Sequence, residues 1–197
     1  MKLSEEFYLR TDVITLAREL IGKVLVTRFD RKTTSGIITE TEAYNGVVDK
    51  ASHAYNGRRT ARNEHMYSSG GTSYVYICYG LHHLFNVVTN VQGEPHAILI
   101  RAIKPLEGIE HMLRRRKKTL IDKTLCGGPG TVAQALGINK QHSGLSLLGN
   151  KIWIEDRNIE INSKAIKITS RIGVESARKD ALLPYRFVLR NDDVIMY

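Results

Sequence analysis

The stretch FNVVTNVQGEPHAILIRA, residues 85–102, decides the fold because it holds two apolar segments joined by a turn. Residues 85–90 and 96–102 are rich in β-branched and other apolar side chains, which is typical of strands. The connection from Gln92 to Pro95 contains Gly93, and these residue types favour a tight turn. So short a connection joins antiparallel strands only. We therefore predict an antiparallel hairpin here.

Similar patterns predict the other elements of the fold. Further strands are expected at 23–29, 35–43, 73–79, 151–155, 165–169 and 185–190. One helix is expected to begin after an N-cap at Thr11 or Asp12 and to end at Gly22. Two more are expected at 105–118, with Pro105 near the first position, and at 131–136. A short helix or turn is expected at 59–67. Since short turns join successive strands, the predicted fold class is α+β: a single domain over 1–197, with a curved, mostly antiparallel sheet surrounded by helices.

The composition points to a polyanionic partner and to the cytoplasm. Lys and Arg number 29 against 20 Asp and Glu, a net charge of +9, which favours nucleic acid, although solubility alone also explains it. The two cysteines, Cys78 and Cys126, make no disulfide framework. No apolar run reaches about 18 residues, and the first residues lack a signal-peptide pattern. We expect a cytoplasmic monomer without a membrane segment.

Polar and aromatic residues with matching parity suggest a site on the sheet. Glu40, Glu42 and Tyr44 alternate along one strand and therefore face the same side. Carboxylates on an inner face are costly unless they are paired or functional; an exposed edge is the alternative. Tyr74 and Tyr76 share one face of another strand, where they either pack in the core or stack on bases.

The order of several motifs resembles the alkyladenine (3-methyladenine) DNA glycosylase family over nearly the whole chain. The matching motifs are Glu40–Tyr44, Ala51–Ala54, Thr60–Asn63, Tyr74–Tyr76, Tyr79–Gly80, Asn86–Val87, Leu99–Ala102, Pro105–Gly108, Leu125–Gly130, Arg171–Val174 and Pro184–Phe187. The resemblance implies an enzyme of base excision repair that flips alkylated or deaminated purines out of double-stranded DNA. No lysine lies among the candidate site residues to form a Schiff base, so we expect a monofunctional enzyme. It would hydrolyse the N-glycosidic bond and leave an abasic site.

The same resemblance implies roles for individual residues. Glu42 is similar to the family's general base, which activates the attacking water, and Arg101 to the residue that positions this water. The base pocket is expected from Tyr44, His53, Tyr76, Asn86 and Leu99, with Tyr44 and His53 on one wall and Tyr76 on the other. Asn86 would reject the exocyclic amine of guanine, and Tyr79 would fill the gap left by the flipped nucleotide.

Other residues are assigned from their chemistry and position. Arg58, Arg59 and Arg62 are expected to contact the DNA backbone, whereas the basic run 114–118 is either a solvated helix end or a DNA contact. No cofactor or metal is expected, because His82 and His83 have no partner at a ligand spacing. Cys78 and Trp153 are expected in the core, and Cys126 in a packing role.

Two other functions remain open from the sequence. A nucleic-acid-binding module without catalysis, for example for RNA, keeps the charge and the tyrosines but gives Glu42 no task. A formyltransferase-type accessory domain is the second, since similar folds serve different functions. It predicts no lesion-sized pocket between Tyr44 and Tyr76. A bacterial source would place the protein at the nucleoid.

Overall fold

Eight strands form one sheet in the structure, a computed structural model that describes residues 1–189. They are β1 (Val24–Phe29), β2 (Lys32–Tyr44), β3 (Ser73–Cys78), β4 (His82–Thr89), β5 (His96–Glu107), β6 (Ile152–Glu155), β7 (Ile166–Thr169) and β8 (Arg186–Leu189). Their pairings are antiparallel in the order β3-β4-β5-β2-β1-β6, with β8 beside β2 and β7 beside β8. The prediction of a curved antiparallel sheet in an α+β fold is confirmed.

Helices and short 3₁₀ turns surround this sheet. The α-helices of the described residues are α1 (Glu5–Leu9), α2 (Val13–Glu19), α3 (Ile109–Arg116) and α4 (Pro129–Leu136). The 3₁₀ turns are Gly46–Val48, Tyr55–Gly57, Glu64–Tyr67, Lys140–His142, Ser163–Ala165 and Glu175–Leu182. The N-cap of α2 is Asp12, whose Oδ1 accepts hydrogen bonds from the N–H groups of Ile14 (3.1 Å) and Thr15 (3.0 Å). No helix within residues 1–189 is long and apolar enough to cross a membrane.

Alternate residues of the central strands face two different environments. On one face the main apolar core, which also contains residues of α2 and α4, takes in Ala43, Val75, Phe85, Val87, Ile98 and Ile100. The intervening positions line a cavity on the other face: Tyr44, Tyr74, Tyr76, Asn86, Leu99 and Arg101. Because successive side chains of a strand point to opposite faces, the apolar core determines which side chains reach the cavity.

The strand register aligns one row of side chains across four strands. Glu42 of β2 lies opposite Leu99 of β5, and Leu99 lies opposite Asn86 of β4. Asn86 in turn lies opposite Tyr74 of β3. Residues directly opposite each other in adjacent strands are close enough to interact, so this row brings distant parts of the sequence into one site.

The ladder between β2 and β5 is irregular beside this row. Glu40 pairs with Ala102 and Thr41 with Ile100, which leaves Arg101 as an extra residue on β5. A bulge of this kind bends the strand and redirects a side chain, and bulges are frequent beside functional sites. The irregularity therefore sets the direction of Arg101 towards β2.

The helix predicted at 105–118 is wrong in its first part. Strand β5 continues through Pro105, which pairs with Gly36 of the long strand β2. The helix α3 begins only after Gly108, whose φ is 66°. A Cβ atom at Gly108 would lie 2.2 Å from the carbonyl oxygen of Thr33, so this turn from strand to helix requires glycine.

The predictions for the two cysteines and Trp153 are partly confirmed. Cys78 is not a core residue: it ends β3, is partly exposed and borders the cavity, since the strand extends beyond the packed region there. Cys126 and Trp153 are buried as expected. The helix α1 has no counterpart among the predictions. Of the strand predicted at 185–190, Arg190 lies outside the described residues.

Candidate active site

A cavity of about 580 Å³ opens on the face of the sheet opposite the main core. Its volume lies within the usual range of ligand pockets, about 300–1,000 Å³. Most residues predicted for the site border it: Tyr44, His53, Arg58, Arg62, Tyr76, Tyr79, Asn86, Leu99 and Arg101. Glu42 and Arg59 are not among the lining residues. Glu42 instead lies behind the wall, in contact with Tyr44 and Arg101.

Glu42 is fully buried, and its carboxylate accepts three hydrogen bonds. The hydroxyl of Tyr44 donates to Oε2 at 2.9 Å, and Nη1 of Arg101 donates to the same oxygen at 3.3 Å. The backbone N–H of Ile172 donates to Oε1 at 2.8 Å. A carboxylate offers about four acceptor positions, so one on Oε1 remains for a further donor such as water.

Burial and partners act on the pKa of Glu42 in opposite directions. Burial raises the pKa above its usual value and dominates, while Arg101, the Ile172 N–H and the Tyr44 hydroxyl lower it. A carboxylate with a raised pKa is a stronger base than an exposed one, and the three donors favour its ionised form. A buried carboxylate with these partners is chemically able to accept a proton from a bound water.

The predicted parity of Glu40 and Glu42 is confirmed, because one arginine joins them. Arg101 donates from Nε to Oε1 of Glu40 at 2.7 Å and from Nη1 to Glu42. Arg186 of β8 donates to the same Glu40 oxygen at 2.7 Å. The carboxylates thus occupy a paired inner row and not an exposed edge.

Aromatic side chains form one side of the cavity. The rings of Tyr74 and Tyr76 have centroids 5.5 Å apart, and the ring of His53 meets Tyr76 edge-on at 4.6 Å. Two rings that sandwich a base must be roughly 7 Å apart, twice a van der Waals contact. The rings of His53 and Tyr76 are therefore in contact, and a base fits between them only after one of the two rings moves.

His53 is a neutral side chain at physiological pH. Burial, together with the smaller effect of the positive charges of Arg62 and Arg58, lowers its pKa to about 4. Its Nδ1 lies 2.8 Å from the hydroxyl of Tyr74. A neutral imidazole has one donor and one acceptor nitrogen, and this contact engages one of them.

Asn86 and Leu99 lie at the centre of the row and are held firmly. Nδ2 of Asn86 donates to the carbonyl oxygens of Tyr74 (3.1 Å) and Leu84 (3.4 Å). Both Asn86 and Leu99 are nearly fully buried and border the cavity. Their fixed positions limit the size and shape of any ligand beside Glu42.

Tyr79 projects from the tip of the hairpin between β3 and β4. Tyr79 and Gly80 have φ angles of 49° and 70°, as in the tight turns that suit hairpins. The Tyr79 side chain is 90% exposed, and the neighbouring Leu81 is 78% exposed. Exposed apolar side chains that lie together are typical of contact sites, and Tyr79 also borders the cavity.

The loop between β2 and β3 carries the predicted DNA-binding arginines. Its anchor is the buried Asn63, whose Nδ2 donates to the carbonyl oxygens of His53 (3.0 Å) and Arg58 (2.8 Å). The Arg62 guanidinium lies 5.4 Å from the Tyr76 ring. Arg59 differs, since it forms an ion pair with Glu64. Arg58 and Arg62 border the cavity, whereas Arg59 is not among the residues that line it.

Sequence reasoning missed a buried ion pair behind Tyr44. Arg171 donates from both Nη atoms to Asp49, and also to the carbonyl oxygens of Ala43 (2.9 Å) and Asp180 (3.0 Å). Its guanidinium lies 4.9 Å from the Tyr44 ring. The next residue supplies the N–H that binds Glu42, so Arg171 positions this part of the site.

The basic run 114–118 is partly internal. Arg115 donates to the carbonyl oxygen of Ala135 at 2.8 Å, and Arg116 donates to that of Leu125 at 3.2 Å. These bonds join α3 to α4 and to the segment between them. The two arginines therefore stabilise the fold. Among residues 1–189, no group of three or more metal-ligating side chains is present.

Nearly the whole sequence is similar to proteins of one family. Residues 6–193 match the model of the methylpurine-DNA glycosylase (MPG) family. A Chlamydia felis protein, named provisionally as a 3-methyladenine DNA glycosylase, is 51% identical, and the match covers 95% of each chain. Proteins of the same name from Desulfitobacterium hafniense and Bacillus cytotoxicus are 43% and 40% identical, with at least 98% of each chain covered. The chain therefore belongs to the methylpurine-DNA glycosylase family, whose members are hydrolases that act on N-glycosyl bonds.

Proposed function

We propose that this protein is a monofunctional DNA glycosylase of base excision repair. It flips an alkylated or deaminated purine out of double-stranded DNA and hydrolyses the N-glycosidic bond with a water that Glu42 activates. The observation that carries the proposal is a buried carboxylate, bound to Arg101 and Tyr44, behind a cavity lined by aromatic side chains. The product is an abasic site.

The chemistry of the substrate explains why one carboxylate is sufficient. Cleavage of an N-glycosidic bond passes through a transition state with oxocarbenium character, as in glycoside hydrolysis. A purine alkylated at N3 or N7 already carries a positive charge and leaves without an acid. The remaining need is a base for the attacking water, and we assign this role to Glu42.

The hydrogen bonds of Glu42 suggest where the water binds. Oε2 accepts from both Tyr44 and Arg101, whereas within residues 1–189 Oε1 accepts from the N–H of Ile172 alone. We place the water at the remaining position of Oε1, where it gives its proton to the carboxylate. Arg101 and Ile172 border both Glu42 and the cavity, so they would hold this water between the base and the sugar.

The same cavity provides for the flipped base. Extrusion of a paired base costs a few kcal/mol, and less if the base is damaged. The exposed ring of Tyr79 would stack in the vacated space and offset part of that cost. Tyr44, His53 and Tyr76 would contact the base, with a shift of His53, and Asn86 would exclude guanine. Leu99 would form the apolar floor.

The positive charge of the protein suits a DNA substrate. The net charge is +9, and Arg58 and Arg62 lie beside the cavity, where they can contact phosphates. Arg59 contributes less in our proposal, because its guanidinium is engaged by Glu64. A water or a nearby group would protonate neutral lesions such as hypoxanthine. His53, with a pKa of about 4, is a poor acid for this step at neutral pH.

Two observations speak against the other functions that the sequence leaves open. A binding module without catalysis has no use for a carboxylate buried behind the binding surface, where burial raises its pKa. A formyltransferase-type accessory domain has no use for a lesion-sized cavity beside Tyr44 and Tyr76.

The proposal is tested by base release from duplexes that contain one alkylated purine or hypoxanthine. We expect the free base and an abasic strand, with no strand cleavage and no adduct trapped by borohydride. DNA binding without base release by the wild-type protein would favour the binding module. A trapped adduct would show a lyase. Glu19→Gln, which alters an exposed carboxylate, is the matched control for Glu42→Gln.

A further inference from the structure

A second carboxylate, that of Glu40, lies two residues before Glu42 on the same face of β2 and has no role in the proposed reaction. We propose that Glu40 is a positioning residue, which holds Arg101 in the orientation that serves Glu42 and the attacking water. This inference rests on the proposed function and concerns a residue that does not itself touch the substrate.

The geometry of the guanidinium carries the inference. Nε of Arg101 donates to Oε1 of Glu40 at 2.7 Å, a short charge-assisted bond, while Nη1 donates to Glu42 at 3.3 Å. A guanidinium is planar, so fixing its Nε edge also fixes the plane in which the two Nη groups lie. Glu40 therefore sets the direction of the donors that reach Glu42 and the cavity.

Glu40 is itself held by a second arginine. Arg186 of β8 donates from Nε to the same Glu40 oxygen at 2.7 Å and from Nη1 to Thr169 at 3.2 Å. Strand β8 pairs with β2 at Glu40, and Arg101 comes from β5 on the other side of β2. Glu40 thus has a fixed position between two strands.

The surroundings of Glu40 differ from those of Glu42. Glu42 is fully buried, whereas the Glu40 side chain is 12% exposed and borders a second cavity of about 490 Å³. Lys104, Asp122 and Lys123 also border that cavity.

The charged groups around the pair determine the expected pH dependence. Tyr44 on β2, Arg101 on β5 and Arg186 on β8 donate hydrogen bonds to Glu40 or Glu42. Tyr76 on β3 and Arg171 are near enough to Glu42 to interact with its charge. Lys104, Asp122, Lys123 and Cys126 border the same cavity as Glu40. The charge of Glu40 contributes to the raised pKa of Glu42, after burial as the larger cause. Neutralising Glu40 should therefore lower the pKa of Glu42.

The variant Glu40→Gln removes the charge but keeps an acceptor oxygen. We expect a single-turnover excision rate at pH 7 reduced by up to about 100-fold, since small misplacements of catalytic groups have effects of this size. The acidic limb of the pH–rate profile should move to lower pH. Glu40→Asp keeps the charge but shortens the side chain, so it should lose rate without that movement of the limb.

Controls separate a positioning role from a structural one. Glu155→Gln removes another strand carboxylate that binds an arginine, Arg157, away from the cavity, and should leave rate and profile unchanged. A wild-type excision rate in Glu40→Gln would overturn the inference. So would a reduced excision rate in Glu40→Gln whose pH–rate profile keeps its acidic limb at the wild-type pH. If Glu40→Gln does not fold, a normal rate in Glu40→Asp overturns it. An inactive wild-type protein would instead contradict the proposed function.

Discussion

The variant Asp49→Ala tests the buried ion pair behind the candidate base pocket. Side chains of Asp49 and Arg171 are 1% and 0% exposed, and the arginine also binds two backbone carbonyl oxygens. Removing Asp49 leaves the guanidinium buried without its counter-charge. We therefore expect a large loss of stability together with displacement of the segment that binds Glu42.

The size of the loss follows from burial. Removing one partner of a buried ion pair costs about 3–5 kcal/mol. In a chain of this length each kcal/mol lowers Tm by about 2–4 °C, so Asp49→Ala should melt roughly 6–20 °C below the wild type. The exposed pair of Arg10 and Glu19 gives a matched control, since both side chains are about 40% exposed. Glu19→Ala should cost about 0–1 kcal/mol.

Urea unfolding of the three proteins, followed by circular dichroism, measures these differences. A loss below about 1 kcal/mol in Asp49→Ala, the size seen for exposed pairs, would refute the reasoning. A second readout is the excision rate at a temperature where all three proteins are folded. It should fall in Asp49→Ala alone, because the N–H of Ile172 no longer holds Oε1 of Glu42.

Three further predictions address the cavity and its mouth. The pKa of the His53 imidazole is about 4 in the folded protein. Between pH 6.5 and 4 this imidazole takes up a proton in the unfolded chain only, so the free energy of unfolding should fall as the pH drops through this range. An equal pH dependence in His53→Gln would contradict this. Tyr79→Ala should slow excision from duplex DNA more than from single strands, and equal losses would argue against a wedge. Arg58→Ala and Arg62→Ala should each reduce the slope of log affinity for DNA against log salt concentration by about 0.9, while Arg59→Ala should reduce it less. DNA-binding titrations at several salt concentrations measure these slopes, and equal slopes for the three variants would contradict the prediction.

Strand alternation made the sheet and the face that carries the candidate site predictable. The parity of Glu40 and Glu42, and that of Tyr74 and Tyr76, follows from the period of two residues in a strand. The structure confirms both pairs on one face. The hairpin at 85–102 is likewise local, because its turn and both strands lie within eighteen residues.

The buried ion pair could not be found by the same reasoning. Asp49 and Arg171 are separated by 122 residues and meet only through the folded sheet. Neither lies in a pattern that distinguishes a buried charge from an exposed one. Long-range pairing of this kind depends on tertiary packing, which local sequence periodicity does not report.

The prediction of the boundary between β5 and α3 was wrong for a related reason. Pro105 near the start of a basic amphipathic segment is typical of a helix. The 13 residues of β2, however, provide ladder partners as far as Glu107, so the strand continues through the proline. The opposite walls that the resemblance implies for His53 and Tyr76 stay a prediction; in this structure the two rings are in contact.

The assignment of Glu42 as the base is tested most directly by Glu42→Gln in single-turnover excision of one alkylated purine from a duplex, with affinity for that duplex measured in parallel. Loss of the base should reduce the rate by about 10²–10⁴-fold, while the affinity stays within about twofold of the wild type. A variant that excises the purine at nearly the wild-type rate would contradict the role of this carboxylate.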